Sequence, residues 1–456
     1  MTGWYQEFKK IASLAFPMVL SQVSQHLVQV IDSAMIGRVG VVPLAASAFA
    51  SGVFVIPLVF CFGITVTTSI LTSHAFGNND EKGAHHVLRV SLLLAVTVGI
   101  LFATTLTFAQ GGLKFFGQSE EVVTASKTYF IMLVWSLVPV LIFSSVKQYA
   151  EAINRPWNPL LIILMMLIGN TALNYIFIFG KLGIPAMGLE GAGLATLLAR
   201  IFTAVAAIYM VSSGKSWNFI LLSKDWLKIR WREINEFLSL GIPSAFQIVF
   251  EVSAFVFAAI MMGWISEETL ASHQISISVA GMTFMVTLGF SFAATVRIGQ
   301  YLGRQDLVGV RCVGRITWCL STAFMTCSMI GIFLLREQIP AWFVDKPEVI
   351  KLTAQLLVVA ALFQIFDGIQ ITMIAALRGI KDVRIPMFIV MFVYYGFCLP
   401  LAYILGFVVE WKGVGIWVAL LVGLLLSSIV LSHRFFSRTK KMLLENEGRP
   451  EVSPTG

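Results

Sequence analysis

"QVSQHLVQVIDSAMIG", residues 22–37, lies in a stretch apolar enough to cross a membrane, yet it carries Gln22, Gln25, Gln29 and Asp32. Their spacings of three, four and three put all four on one face of a helix. A carboxylate in hydrocarbon costs at least about 2.5 kcal/mol on the mildest scale, so such a face is expected to line a wet interior rather than lipid.

The rest of the chain repeats this pattern of apolar runs. It has 456 residues, 57% apolar and only 12% charged, with a mean hydropathy of +0.85. A soluble domain is about 25% charged. The charges cluster and leave uncharged runs of roughly 20 residues or more, each long enough to span a bilayer as a helix. The short alternating segments of a β-barrel are absent. Twelve spans are expected, at 11–36, 45–73, 87–110, 123–146, 159–180, 191–212, 237–264, 271–297, 316–336, 349–377, 386–409 and 413–433. The fold class is an all-α polytopic membrane protein. "MTGWYQEFKK" leads into a first run too long and too polar for a signal peptide, so that run is kept as a mature helix. The five cysteines form no C-x-x-C pair and read as packing residues. The net charge of +8 is assigned to loops facing anionic lipid, not to nucleic acid.

Placing the N-terminus in the cytoplasm puts most Lys and Arg on that side, including Lys9, Lys10, Lys82, Arg89, Lys147, Arg155 and the groups at 215–232, 297–315 and 378–384. Both termini are therefore expected inside. An ungapped shift that carries Pro17 onto Pro243 also carries Gly37 onto Gly263, Leu44 and Ala45 onto Leu270 and Ala271, Gly63 onto Gly289, Gly77 onto Gly303, Gly83 onto Gly309, and Arg89 onto Arg315. Further on, "GAG" at 191–193 is matched to "GVG" at 413–415. The chain reads as two six-helix lobes, 1–222 and 223–456, joined by a basic linker at about 213–236. Six spans is an even number, so both lobes enter from the same side, a parallel repeat known in secondary transporters.

Few ionisable residues fall well inside spans: Asp32, Glu251, Asp367, Arg200 and His26. Glu251 follows Gln247 by one turn, and Asp367 is flanked by Gln364 and Gln370. Interhelical packing is the alternative role for one such residue, but three carboxylates each with amides favour a polar cavity. The repeat aligns Asp32 with Ala258 and Glu251 with Gln25, so the scaffold is duplicated and the charges are not. Two carboxylates sharing a site cannot both ionise freely, so Glu251 and Asp367 can hold a proton or coordinate Na+. Asn170 and Asn174 are one turn apart in the fifth span, fit either for substrate contact or for interhelical hydrogen bonds. Arg200 either reaches a backbone carbonyl or pairs with an acid whose identity stays open. His26 reads as a hydrogen-bonded neutral ring or a proton relay. No G-x-x-x-x-G-K-[ST] loop and no H-E-x-x-H occurs, so neither ATP nor an enzyme centre is expected.

"VIDSAMIGRVG" (30–40), "FEVSAFVFAAIMMGW" (250–264), "LASHQI" (270–275), "AATVRIG" (293–299), "FDGIQ" (366–370) and "ALRGIKDVRIPM" (376–387) resemble the MATE family of multidrug and toxic compound extrusion transporters, in its NorM-like branch. The resemblance covers nearly the whole chain. It implies two lobes around a V-shaped cleft, alternating access, and export of cationic amphiphilic compounds in exchange for Na+ or H+. It places the second-lobe cation site on Glu251 and Asp367, with Na+ as the metal, and the first-lobe aspartate on Asp32. Asn170 and Asn174 match the fifth-helix polar pair, and Phe255 and Gln274 match positions that face substrate in some members. Phe363 stands where some members carry a Tyr that helps hold the cation, and Asn174 where another branch carries an Asp.

The expectation is a secondary active multidrug efflux transporter of the bacterial inner membrane, acting as a monomer, with both termini cytoplasmic. Its partners are small cationic drugs, a coupling cation and the bilayer; it uses no cofactor. Asp32, Glu251 and Asp367 couple the cation, and Asp32, Gln25, Gln29, Asn170, Asn174, Phe255, Gln274 and Gln364 line the substrate cavity. The alternative is a flippase for lipid-linked precursors from the same broader superfamily, and, further off, a channel or a membrane protein with no transport cycle.

Overall fold

The computed structural model describes residues 2–213 and 229–447. Among these, twelve helices are long and apolar enough to cross a membrane, and no strand occurs. The first three spans are α1 (Thr2–Gly37), α2 (Val41–Gly77) and α3 (Glu81–Ala109). The fourth is broken into α4 (Glu120–Trp135) and α5 (Leu137–Ala152). Pro139 explains the break, because it has no N–H to bond the Trp135 carbonyl. Then come α6 (Trp157–Phe179), α7 (Gly188–Ser213), α8 (Trp231–Ile265), α9 (Glu267–Gly303), α10 (Leu307–Leu335) and α11 (Pro347–Gly379). The eleventh span starts as α12 (Arg384–Met391), passes through a π-helical stretch, Phe392–Cys398, then α13 (Leu399–Tyr403) and a second π-helical stretch, Ile404–Val408. Pro400 lacks the N–H that would bond Gly396, which favours the wider turn. The last span is α14 (Lys412–Glu447). The core of the expected basic linker, 214–228, lies outside the described residues.

The repeat extends to atomic detail. Asp80 and Asp306 each cap the following helix, accepting from the backbone N–H of Gly83 and Gly309 at 2.8 Å. Each cap follows a left-handed residue, Asn79 at φ 57° and Gln305 at φ 60°. The recurring Gly77 and Gly303 mark a close crossing of helix ends. A Cβ on Gly77 would collide with the Gln300 carbonyl, and one on Gly303 with the His74 carbonyl. One register differs from the sequence alignment. A Cβ on Gly191 would lie 2.6 Å from the Phe177 oxygen, and one on Gly415 would lie 2.6 Å from the Leu405 oxygen. Gly191 therefore corresponds to Gly415 rather than Gly413, because the loop before α14 is shorter than the loop before α7.

The chain folds as two compact units that do not follow the simple halves. One contains residues through Val19, Ser73–Asn79, and Phe250 onward; the other contains Leu20–Thr72 and Asp80–Val249. So α1 and α8 each contribute one part to either unit, and the repeated prolines, Pro17 and Pro243, lie shortly before each helix changes unit. In the first unit, Glu7 and Arg297 form a buried ion pair. Tyr301 donates to the other Glu7 oxygen at 2.7 Å, and Arg297 also donates to Gln300 at 2.9 Å. This unit's core is centred on α11, with Leu356, Leu357, Phe363 and Met373 against Trp417, Leu420 and Leu424 of α14. The other unit packs Phe54, Phe130, Leu133, Leu137 and Leu141.

Four bases placed above on the cytoplasmic side are buried, Arg89, Lys147, Arg297 and Arg378; Lys147 and Arg297 show how. Lys147 is buried in α5 and pairs with the buried Glu151 one turn on, at 3.2 Å. Arg297 is taken up by Glu7. In each case a partner carboxylate neutralises the base, which makes its burial tolerable.

Candidate functional site

The polar residues gather at two places, one in each unit. In the unit containing Leu20–Thr72 and Asp80–Val249, the half-buried Asp32 of α1 meets α6 and α7. Asn174 donates from Nδ2 to Asp32 Oδ1 at 2.5 Å and to Asn170 Oδ1 at 3.1 Å. Thr196 lies within hydrogen-bonding reach of Asp32. Arg200 donates to Ser136, at the break between α4 and α5, at 2.6 Å. Its guanidinium lies within electrostatic reach of Asp32 and Tyr129. Among the described residues Arg200 thus engages a hydroxyl, that of Ser136, and forms no ion pair. Asp32 thus accepts from one amide, that of Asn174, with the Arg200 guanidinium in its electrostatic surroundings.

The amide stripe leading to Asp32 is not uniform. Gln22 is buried and accepts from Lys147 at 3.3 Å. Gln25 is half-buried and donates to the Ser21 carbonyl at 3.2 Å. Gln29 is exposed. No hydrogen bond among the described residues joins Gln29 or His26 to Asp32.

In the other unit, Glu251 of α8 and Asp367 of α11 are both buried and lie within electrostatic reach of one another. Gln370, one turn beyond Asp367, donates to Glu251 Oε1 at 2.8 Å and lies 3.1 Å from the Tyr394 hydroxyl. Asp367 is only 4% exposed, and among the described residues no hydrogen bond or ion pair engages its carboxylate. Gln364 turns away from it and accepts from Thr283 at 2.8 Å, tying α11 to α9. Phe255 packs edge-on against Phe363, with ring centroids 6.1 Å apart, and against Tyr394 at 6.3 Å. Gln274 is exposed on α9, and no hydrogen bond of its side chain to these groups occurs among the described residues.

The structure therefore brings Asp32 together with Asn170 and Asn174, and Glu251 together with Asp367 and, through Tyr394, with Phe255. It does not bring Gln25, Gln29, Gln274 or Gln364 to either carboxylate set. The sequence reading missed Tyr394, Ser136 and Thr196 as members of these clusters. Each comes from a helix far along the chain, so no local spacing announces it.

Known proteins resemble the chain over nearly its whole length. The MatE family model matches residues 17–176 and 243–404, one match in each half. A probable multidrug resistance protein NorM of Mesorhizobium japonicum is 33% identical over 446 residues, covering 96% of this chain and 95% of the relative. A protein of the same name from Bradyrhizobium diazoefficiens is also 33% identical, over 442 residues, with 96% and 95% covered. Among solved structures, a MATE protein in its bent conformation superposes with a TM-score of 0.88 at 19% identity, covering 96% of this chain and 97% of that one. The eukaryotic MATE transporter AtDTX14 gives 0.86 at 20% identity, with 97% and 99% covered. With the family model matched in both halves and full-length relatives at this identity, the chain belongs to the MATE family of membrane transporters.

Proposed function

We propose that this protein is a secondary active efflux transporter that exports cationic, amphiphilic organic compounds in antiport with Na+ or H+ by alternating access. The single observation that carries the reading is Asp367. A buried carboxylate beside a second one, with no partner among the described residues, is costly unless a proton or cation joins it. An exchangeable cation at that position gives the occupied and empty protein different conformational preferences, which is what antiport requires. The names of the relatives support drugs as the exported compounds. Glu251 and Asp367 bind the coupling cation. Asp32, held by Asn174 and balanced by Arg200, binds the cationic group of the substrate or a proton. Asn170, Phe255, Gln25, Gln29, Gln274 and Gln364 complete the substrate-contacting set. The protein works in the bacterial inner membrane as a monomer, with both termini cytoplasmic.

The test is ethidium efflux from proteoliposomes under an imposed Na+ gradient and, separately, an imposed pH gradient. A response to either is the expected result. Failure to respond to both would overturn the antiport reading and favour the flippase.

A further inference from the structure

A recess of about 500 Å³ lies between the residues just past the end of α10 and the start of α11. None of the residues assigned above to transport lines it. Its lining divides by chemistry. Arg336 and Lys351 bring two cations, and Ile350, Ala354 and Val358 bring an apolar floor. The three apolar residues are four apart, so they stack as one stripe along about 12 Å of α11. Arg336 is anchored by its own turn. Its guanidinium donates to the Phe333 carbonyl at 3.0 Å and lies over the Phe333 ring, 4.5 Å from the centroid. In the loop that joins α10 to α11, Trp342 and Phe343 are both exposed. Exposed aromatic residues beside basic ones at the end of a membrane span mark the boundary between water and lipid.

We propose that this recess binds one anionic phospholipid of the phosphatidylglycerol class, with its phosphate between Arg336 and Lys351 and one acyl chain along Ile350, Ala354 and Val358. The two halves of the lining select an amphiphile. A soluble phosphate would satisfy the cations and leave the apolar floor bare to water. An acyl chain alone would cover the floor and leave the cations without an anion. Glu337 is the competing anion, 3.6 Å from Arg336. Its side chain is 78% exposed, and pairs at such surfaces contribute only about 0–1 kcal/mol. A phosphate accepts two guanidinium N–H groups at once and forms the stronger pair. Two cations and one carboxylate leave a surplus of one positive charge in the lining. A phosphodiester with an uncharged head neutralises that surplus, and an ammonium-bearing head does not. Basic pockets between membrane helices hold anionic head groups on the same physical basis.

The experiment is native mass spectrometry of the full chain released from detergent, titrated with phosphatidylglycerol, with phosphatidylcholine of the same acyl chains, and with glycerol 3-phosphate. It compares the wild type with the double variant Arg336→Gln, Lys351→Gln and with Ala354→Trp, which fills the apolar floor and leaves the charges in place. Thermal midpoints without lipid are measured on the same preparations. The expected result is that the wild type binds its first phosphatidylglycerol at least about tenfold more tightly than phosphatidylcholine. Each variant loses about tenfold or more of that affinity at an unchanged lipid-free midpoint, and glycerol 3-phosphate forms no adduct at the same concentrations. Wild-type phosphatidylglycerol affinity in both variants would overturn the site. Loss in the double variant alone would overturn the acyl-chain seat, and loss in Ala354→Trp alone would overturn the phosphate contacts. Equal affinity for the two phospholipids would overturn the choice of an anionic head. A glycerol 3-phosphate adduct that disappears in the double variant would replace the lipid with a soluble phosphate. If the double variant does not fold, Lys351→Gln, at an exposed position, takes its place in the same titration.

Discussion

Asn174 donates one amide group to two acceptors on different helices, Asp32 at 2.5 Å and Asn170 at 3.1 Å. Asp32 is thereby oriented by a neutral donor. A hydrogen bond to a charged group contributes about 1.5–3 kcal/mol. Asn174→Leu is expected to lose that amount, read as a lower thermal midpoint in detergent. Asp32→Asn keeps an amide in place and is expected to fold normally, while ethidium resistance of expressing cells falls at least tenfold.

Asp367→Asn is expected to behave in the opposite sense to an ordinary core lesion. It removes a buried carboxylate that has no partner among the described residues, so the thermal midpoint should stay level or rise. Ethidium resistance should be abolished at unchanged membrane expression. Normal resistance would sink the assignment of Asp367.

The Glu7–Arg297 pair should show the asymmetry of buried ion pairs. Arg297→Met leaves the buried Glu7 with the exposed Lys10, 3.7 Å away, as its ion-pair partner, and is expected to cost up to about 3 kcal/mol. The double variant Glu7→Gln, Arg297→Met should recover a large share of that loss in a thermal unfolding series, because no bare charge remains.

Asp80→Ala and Asp306→Ala remove equivalent helix caps. Each should cost about 1 kcal/mol. The sites share no partner, so the double variant should equal the sum of the singles within about 0.5 kcal/mol. Strong non-additivity would contradict independent capping.

Glycine substitutions should separate by surroundings. Gly77→Ala and Gly303→Ala push a methyl group into opposing backbone and are expected to cost about 1–3 kcal/mol. A Cβ on Gly331, inside α10, meets nothing within 4 Å. Gly331→Ala should instead stabilise by about 0.5–1 kcal/mol through helix propensity.

Hydropathy carried much of the fold, because a helix in lipid must satisfy its own backbone bonds and leaves a contiguous apolar record. The twelve spans and the repeat through Gly77 and Gly303 were legible for that reason. The carboxylates were legible too, since Asp32, Glu251 and Asp367 stand out against apolar neighbours. Their partners were not. Asn174 lies 142 residues from Asp32, and Gln370 lies 119 residues from Glu251. Tyr394 looks like any membrane aromatic until its hydroxyl is seen beside Gln370. Lys147 was read as a loop base because positive charge normally marks a span's end; its burial depends on Glu151 in the same helix, a pairing that the sequence contains but does not distinguish from a surface one. The slip from Gly191–Gly415 to Gly191–Gly413 came from matching a short motif across loops of unequal length.

The assignment of residues through Val19 to the unit that begins again at Phe250 has a consequence for biogenesis. Arg297 follows its partner Glu7 by 290 positions in the chain. The unit that holds Glu7 therefore cannot close until well after most of the other unit's helices have been made. Synthesis from one end, which lets most domains fold in order, here leaves a buried carboxylate waiting for its cation. The membrane must hold the N-terminal segment unpaired through that interval, and a chain truncated before Arg297 leaves Glu7 with no such partner.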